Sequence, residues 1–261
     1  MAIVHELALI GDPVGHSLSA AYFNELFRSR GLPARYFAQR LSSADELPEF
    51  LRAHPRLLAF NVTYPLKRAV LPFVQEADGE VRLLGAANMV IVSRRQGAPH
   101  LTAYNTDCPG FRAFIEPLLA GIAAPRALVL GTGGAAAAVC LALSQLGVGV
   151  CAVSRDPAQT RPHFSLAPVI SYAEVTPEVL AATPILINAT PVGMNPHALG
   201  RPPLPYHALT SGHLCVDLIY QPTQTRFLHA AMEAGATVRN GLGLLYAQAR
   251  VNLQHWLPLL Q

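Results

Sequence analysis

Short apolar runs alternate with longer amphipathic ones from the start of the chain. Residues 5–10 form a strand-length apolar run closed by Gly11-Asp12-Pro13. Residues 19–30 carry Tyr22, Phe23, Leu26 and Phe27 at helical spacing and stop at Gly31. Residues 35–39 and 57–62 read as strands, with a helix over 44–52 between them. Pro65 stands where a proline opens a first helical turn. Residues 87–93 and 100–104 read as a hairpin turning at Gln96-Gly97. Asn105-Thr106-Asp107 then leads into an amphipathic run through Phe111, Phe114, Ile115, Leu118 and Leu119.

A second series follows a linker at 121–125. Its expected elements are a strand over 127–130, a helix over 133–146, and strands over 148–153, 185–188 and 214–218. A helix over 225–234, a short strand at Thr237-Val238 and a last helix from after Asn240 to about Trp256 complete it. The proline-rich stretch 195–205 reads as a loop. Such β–α alternation predicts mostly parallel sheets covered by helices. Two such series imply two α/β domains with a cleft between them, and no period of a repeat protein is present.

Composition narrows the function classes. Of 261 residues, 51% are hydrophobic and 13% charged, which excludes a disordered chain. The net charge of +3 comes from 19 scattered Lys and Arg residues, with no footprint for a nucleic-acid backbone. Four cysteines without CxxC spacing fit the reduced thiols of a cytoplasmic protein. Ten histidines form no HExxH or HxH cluster; His16 and His213 read as structural, and no metal is expected. The first residues lack the basic stretch of a signal peptide. Residues 127–154 carry no charge and are long enough to cross a bilayer. Gly131, Gly133, Gly134, Gly147 and Gly149 divide them into strand, helix and strand instead, so no membrane is expected as a partner.

The first chemical signal lies in that stretch. Leu128-Val129-Leu130 runs into Gly131-Thr132-Gly133-Gly134-Ala135-Ala136, a G-x-G-x-x-A pattern after a strand and opening a helix. Gly131 permits the tight turn, Gly133 lets backbone approach a pyrophosphate, and Ala136 lets the helix pack on the sheet. The alternative is a small-residue packing motif. The next strand ends at Ser154-Arg155-Asp156. Arg155 there suits a 2′-phosphate and favours NADP, whereas Asp156 suits a free ribose hydroxyl and NAD.

Polar clusters mark the other half. In chain order the motifs are GDPVGHSLSA (11–20), NVTYPLK (61–67), GAANMV (85–90) and YNTDCPG (104–110), then GTGGA (131–135), NATPVGM (188–194) and GLGLLYAQA (241–249). Together they resemble the shikimate dehydrogenase family over nearly the whole chain.

The resemblance implies a substrate-binding α/β domain of residues 1–104 plus 236–261 and a Rossmann-type NADP-binding domain of residues 105–235. It implies reversible NADPH-dependent reduction of 3-dehydroshikimate to shikimate by a monomer or homodimer. Lys67 and Asp107 are then the catalytic pair. Ser17 and Ser19 would hold the substrate carboxylate, and Asn61, Thr63, Asn88, Tyr220 and Gln248 would bind the ring acid. Gly131, Thr132, Gly133, Gly134, Ala135, Ser154, Arg155, Asn188, Ala189, Thr190, Met194, Leu218 and Gly241 would line the cofactor, with Gly243 near the nicotinamide end. Departures from the family pattern are Ala20 for proline, Ala103 for glycine and Cys108 for glycine; none removes a polar group.

Plainer readings stand beside these. Lys67 can solvate a helix, and Asp107 can be the N-cap of a helix beginning near Pro109. Ser17 and Ser19 can cap the helix that follows them, and Gln248 can be a surface residue. Quinate or aminoshikimate oxidation with NAD, and a cofactor-binding regulator without turnover, are the alternative functions.

Overall fold

The structure, a computed structural model, describes residues 4–15, 17–159, 165, 167–195 and 198–260. His16, and Pro196 and His197 of the proline-rich stretch, lie outside the described residues. The chain divides into two compact units, residues 1–106 with 248–261 and residues 107–247.

The first unit is built on a six-stranded mixed sheet. Its strands are β1 (His5–Gly11), β2 (Ala34–Arg40), β3 (Leu57–Val62), β4 (Glu76–Ala77), β5 (Met89–Arg95) and β6 (Ala98–Tyr104), in the order β2-β1-β3-β5-β6-β4. β1 pairs in parallel with β2 and β3, while β5 runs antiparallel to β3 and β6. Both faces of β1 are buried because its side chains alternate between two cores. Ala8 and Ile10 join Leu47, Phe50, Phe60 and Leu66 on one face. Leu7 and Leu9 join Phe23, Phe27, Tyr36 and Trp256 on the other.

The helices that cover this sheet are α1 (Ser19–Ser29), α2 (Leu47–Ala53), α3 (Leu66–Ala69) and α4 (Gly79–Leu84). The helix expected over 44–52 begins as a 3-10 turn at Ala44–Glu46, held by a capping box of Ser43 and Glu46. Proline at the second position of α2 accounts for the change of helix type there. The hairpin turns at Gln96 and Gly97, both with positive φ (53° and 84°), the geometry of a two-residue turn that matches strand twist.

The second unit opens with α5 (Asp107–Ile115). Its sheet has six parallel strands: β7 (Arg126–Leu130), β8 (Gly149–Ser154), β9 (Val169–Ser171), β10 (Ile185–Asn188), β11 (Leu214–Asp217) and β12 (Thr237–Arg239). Their order, β12-β11-β10-β7-β8-β9, is the doubly wound order in which the chain reverses direction beside its first strand. α6 (Gly134–Gln145), α7 (Pro177–Ala181) and α8 (Arg226–Glu233) accompany the sheet. Leu128, Leu130, Leu186, Cys215 and Phe227 make its core. The last helix, α9 (Leu242–Leu260), runs four residues beyond the expected end because Leu260 is still a buried core position. Among the described residues no helix is long and apolar enough to cross a membrane. The uncharged stretch 127–154 is β7, α6 and β8.

Candidate functional site

In the first unit the loops after β1, β3 and β6 and the entry to β5 gather at one end of the sheet. β5 is antiparallel to β3, so its start lies beside the end of β3, with Met89 opposite Asn61 and Tyr104 opposite Met89. This register brings Asn61, Asn88 and Thr106 together from three places in the sequence.

These residues form one polarised hydrogen-bond chain, all of it buried. The Tyr36 hydroxyl donates to Asn61 Oδ1 at 2.8 Å, and Asn252 Nδ2 faces the same oxygen at 3.5 Å. Asn61 Nδ2 donates to the Asn88 carbonyl at 3.1 Å. The Thr106 backbone N–H donates to Asn88 Oδ1 at 2.7 Å, and its hydroxyl donates to Asn252 Oδ1 at 2.9 Å. Each amide orientation fixes the next. The Asn88 side-chain oxygen is thus committed to Thr106. Sequence reading missed Tyr36, Thr106 and Asn252, because their partners lie on other elements. Asn252 alone left a trace, a buried amide among the apolar residues of α9.

Gln248 precedes Asn252 by four residues on α9, so the two share a helix face. Thr63 is fixed by its neighbours: its N–H donates to the Ile10 carbonyl and its own carbonyl receives the Leu66 N–H. Gly11 is obligatory beside it, since a Cβ there would stand 2.5 Å from Thr63 Cγ2 at a φ of +150°. Lys67 is half-buried in α3, and its carbonyl takes the Ala87 N–H at 2.7 Å, tying its turn to the loop that carries Asn88. α3 has four residues. Ser17 Oγ accepts the Ser19 N–H at 3.2 Å, so Ser17 shapes the entry to α1, whose N-cap position is Leu18 without a side-chain cap bond. Asp107 is the first residue of α5, two positions before the start expected at Pro109. Among the described residues no group of three metal-ligating side chains gathers. His213 is buried between the Thr210 N–H and the Leu180 carbonyl, a satisfied core histidine.

In the second unit the glycine-rich turn joins β7 to α6. Gly131 has φ +108°, and a Cβ there would meet Thr190 Cγ2 at 3.0 Å and the Ala189 carbonyl oxygen at 3.3 Å. Gly133 is the N-cap of α6, and a Cβ on it or on Gly134 would enter open space. The first intrahelical bond runs from the Ala137 N–H to the Gly133 carbonyl. The N–H groups of Gly134, Ala135 and Ala136 therefore precede it, at the positive end of the helix. Thr132 sits within this turn. Ala136 is fully buried against the sheet. These features fit a pyrophosphate.

At the end of β8, Ser154 Oγ exchanges hydrogen bonds with the Asp156 backbone, and the Asp156 carboxylate accepts the Ala158 N–H at 3.1 Å. The carboxylate thus caps the turn that follows. Arg155 is exposed beside it, and its charge opposes the upward push that burial gives the Tyr172 hydroxyl.

Asn188 and Asp217 end neighbouring strands and are fully buried. Asn188 Nδ2 donates to Asp217 Oδ1, while Asn188 Oδ1 accepts the Thr190 N–H and hydroxyl. Ala189 donates its N–H to the Leu130 carbonyl. Met194 is largely exposed on the same loop. The half-buried Leu218 and Tyr220 follow β11. A Cβ on Gly241 would lie 2.0 Å from the Leu218 carbonyl oxygen, and one on Gly243 would lie 2.7 Å from the Phe114 ring. Both glycines are thus explained by close packing within this unit. Asp217 and Thr225 were not singled out from sequence, although an aspartate ending an apolar strand run was a visible signal.

A doubly wound sheet with a glycine turn, an open helix N-terminus and an arginine after its second strand defines a dinucleotide-binding α/β protein. The chain is 36% identical over 258 residues to the NADP(+) shikimate dehydrogenase of Thermus thermophilus, covering 97% of this chain and 92% of that one. A family model described as the shikimate dehydrogenase substrate binding domain matches residues 9–90. The chain belongs to the shikimate dehydrogenase family. A solved structure of the Thermus thermophilus enzyme with NADP(H) and shikimate superposes with a TM-score of 0.83 at 32% identity, covering 98% and 95% of the two chains. The 5-ketofructose reductase of a Gluconobacter strain superposes at 0.82 with 29% identity, covering 98% and 94%.

Proposed function

We propose that this protein is an NADP-dependent shikimate dehydrogenase that reversibly reduces 3-dehydroshikimate to shikimate. Membership of the family supports the class. The observation that carries the reading is the convergence of Asn61, Thr63, Lys67 and Asn88 at one end of the first unit's sheet, on the motifs NVTYPLK and GAANMV.

The second unit's residues suit the dinucleotide. The N–H groups that open α6 would hold the pyrophosphate beside Gly131, Thr132 and Gly133. Arg155 would pair with the 2′-phosphate. The Asp156 carboxylate accepts the Ala158 N–H through one oxygen and so has a local capping role. Asn188, Ala189, Thr190, Met194, Leu218 and Gly241 would lie along the ribose and nicotinamide. When bound, the nicotinamide supplies a hydride in one direction and accepts it in the other.

The first unit's residues suit a polyhydroxylated ring acid. Ser17 and Ser19 would donate to its carboxylate. Asn61, Thr63, Asn88 and Gln248 would bind its ring hydroxyls, with Tyr220 of the second unit. The Lys67 ammonium would give its proton to the ring oxygen as negative charge builds there, and its neutral amine would take the proton back in the oxidation. Asp107, the first residue of the second unit, would orient Lys67 and a substrate hydroxyl.

The test is Lys67→Ala. It is expected to lower kcat on the order of 10²-fold, with NADPH affinity and melting temperature unchanged. Turnover near the wild-type rate would overturn the role given to Lys67.

A further inference from the structure

The least accounted-for group in the second unit is a buried carboxylate. Asp217 ends β11 with no exposed surface, and a buried charge is costly without compensation. Three donors converge on it. Asn188 Nδ2 and the Ile219 N–H reach Oδ1 at 3.1 and 3.0 Å, and the Thr225 hydroxyl reaches Oδ2 at 2.6 Å. Burial raises the carboxyl, these donors pull it part of the way back, and the balance leaves it at about 6.

Each donor belongs to a different segment: Asn188 leads to the glycine turn, Thr225 to the far end of the loop after β10, and Ile219 to Gly241 before α9. Asn188 holds Thr190 through its N–H and its hydroxyl. Thr190 Oγ1 accepts the Val192 N–H at 3.2 Å, which orders the loop 189–194. Thr190 and Ala189 lie directly against Gly131, where even a methyl group would crowd them. Thr225 packs against the other end of that loop, since a Cβ on Gly193 would stand 3.3 Å from Thr225 Cβ. The same hydroxyl accepts the Leu228 N–H and caps α8. Ile219 carries the loop after β11, and its carbonyl receives the Gly241 N–H at 3.0 Å.

We propose that the Asp217 carboxylate is a positioning group for the cofactor, setting the loop 189–194 against the glycine turn after β7 and the loop 218–220 against Gly241. It would touch neither cofactor nor substrate and would act through Asn188, Thr190 and Ile219. The inference rests on reading the second unit as the NADP-binding one. An amide at this position turns an N–H group towards at least one of the three donors, so Asp217→Asn breaks the arrangement at nearly constant volume. Thr225→Val removes one donor, and Thr225→Ser keeps it.

The experiment is NADPH binding to the full chain, followed by cofactor fluorescence, with thermal unfolding measured in parallel. Asp217→Asn and Thr225→Val are expected to weaken NADPH binding by about tenfold or more, and Thr225→Ser to restore it. That is on the order of the effect of losing an oriented second layer around a site. Lower melting temperatures with wild-type Kd values in both variants would overturn the proposal, because a purely structural role does not alter the affinity of the folded fraction. Should Asp217→Asn fail to fold, the Thr225 pair decides the question alone. No NADPH binding by the wild type would instead sink the cofactor reading on which the inference stands.

Discussion

Gly241→Ala is the smallest substitution with the largest expected consequence. Gly241 opens the approach to α9, and its N–H donates to the Ile219 carbonyl at 3.0 Å. A methyl group there would lie 2.0 Å from the Leu218 carbonyl oxygen, 2.5 Å from its carbonyl carbon and 3.2 Å from the Ile219 carbonyl carbon. All three are backbone atoms, so no side-chain rotation relieves the overlap. Either the 218–220 loop or the start of α9 must move by about an ångström. That movement stretches the Gly241–Ile219 hydrogen bond, at about 1 kcal/mol, and overpacks the site, at about 1–3 kcal/mol. Together they set an expected loss of about 2–4 kcal/mol. The assay is urea unfolding of wild type and variant, with steady-state kinetics on both. Unfolding midpoint and kcat should fall together, because the displaced loop carries Leu218 and Tyr220. A variant with wild-type stability and turnover would refute the packing argument.

Other substitutions probe separate parts of the account. Arg155→Ser is expected to raise the KM for NADP+ about tenfold or more while leaving that for NAD+ nearly unchanged, since it removes a phosphate partner; equal effects on both cofactors would contradict the assignment. Asp217 gives a stability trend with pH. Its carboxyl rises from 3.8 to about 6 on folding, so the folded state holds the proton more tightly than the unfolded one. The group therefore costs stability as pH rises from about 4, reaching about 3 kcal/mol above pH 6. The urea midpoint of the wild type should rise relative to that of Asp217→Asn on acidification from pH 7.5 to 5, and an unchanged or falling difference would refute this. Tyr36→Phe removes the 2.8 Å bond to buried Asn61, at about 1–2 kcal/mol, and calorimetry should show a lower melting temperature.

Local pattern made the strands of both units and most of the helices legible. β1 and β3 are continuous apolar runs because both faces of the sheet are covered, and the hairpin announced itself through Gln96-Gly97. The short elements did not show. α4 has six residues, less than two turns, so no periodicity marks it; its signal was Asp78, whose side chain accepts the Val81 N–H. α7 was readable from Thr176 as N-cap with Pro177 behind it, but five residues gave no apolar stripe. β9 has three residues and is a strand only by pairing with β8.

The candidate site divides the same way. Gly131, Gly133, Asn88 and Lys67 stood out because they lie in contiguous motifs. Thr106 lay in such a motif without an assigned role, and Tyr36 and Asn252 lay in none, because their roles arise from donors and acceptors that only the folded sheet brings together. Asp217 joins Asn188 and Thr225 across 29 and 8 positions, and no spacing rule connects such residues. The choice between Arg155 and Asp156 likewise stayed open in the sequence, because adjacent residues of opposite charge point to different cofactors.

The central claim is tested most directly by absorbance at 340 nm, with purified protein offered shikimate, quinate, an aminoshikimate and 5-ketofructose, each with its matching form of NADP and of NAD. The account predicts the highest kcat/KM for shikimate with NADP+. A clear preference for another substrate or for NAD+, or no change in absorbance with any pair, would contradict it.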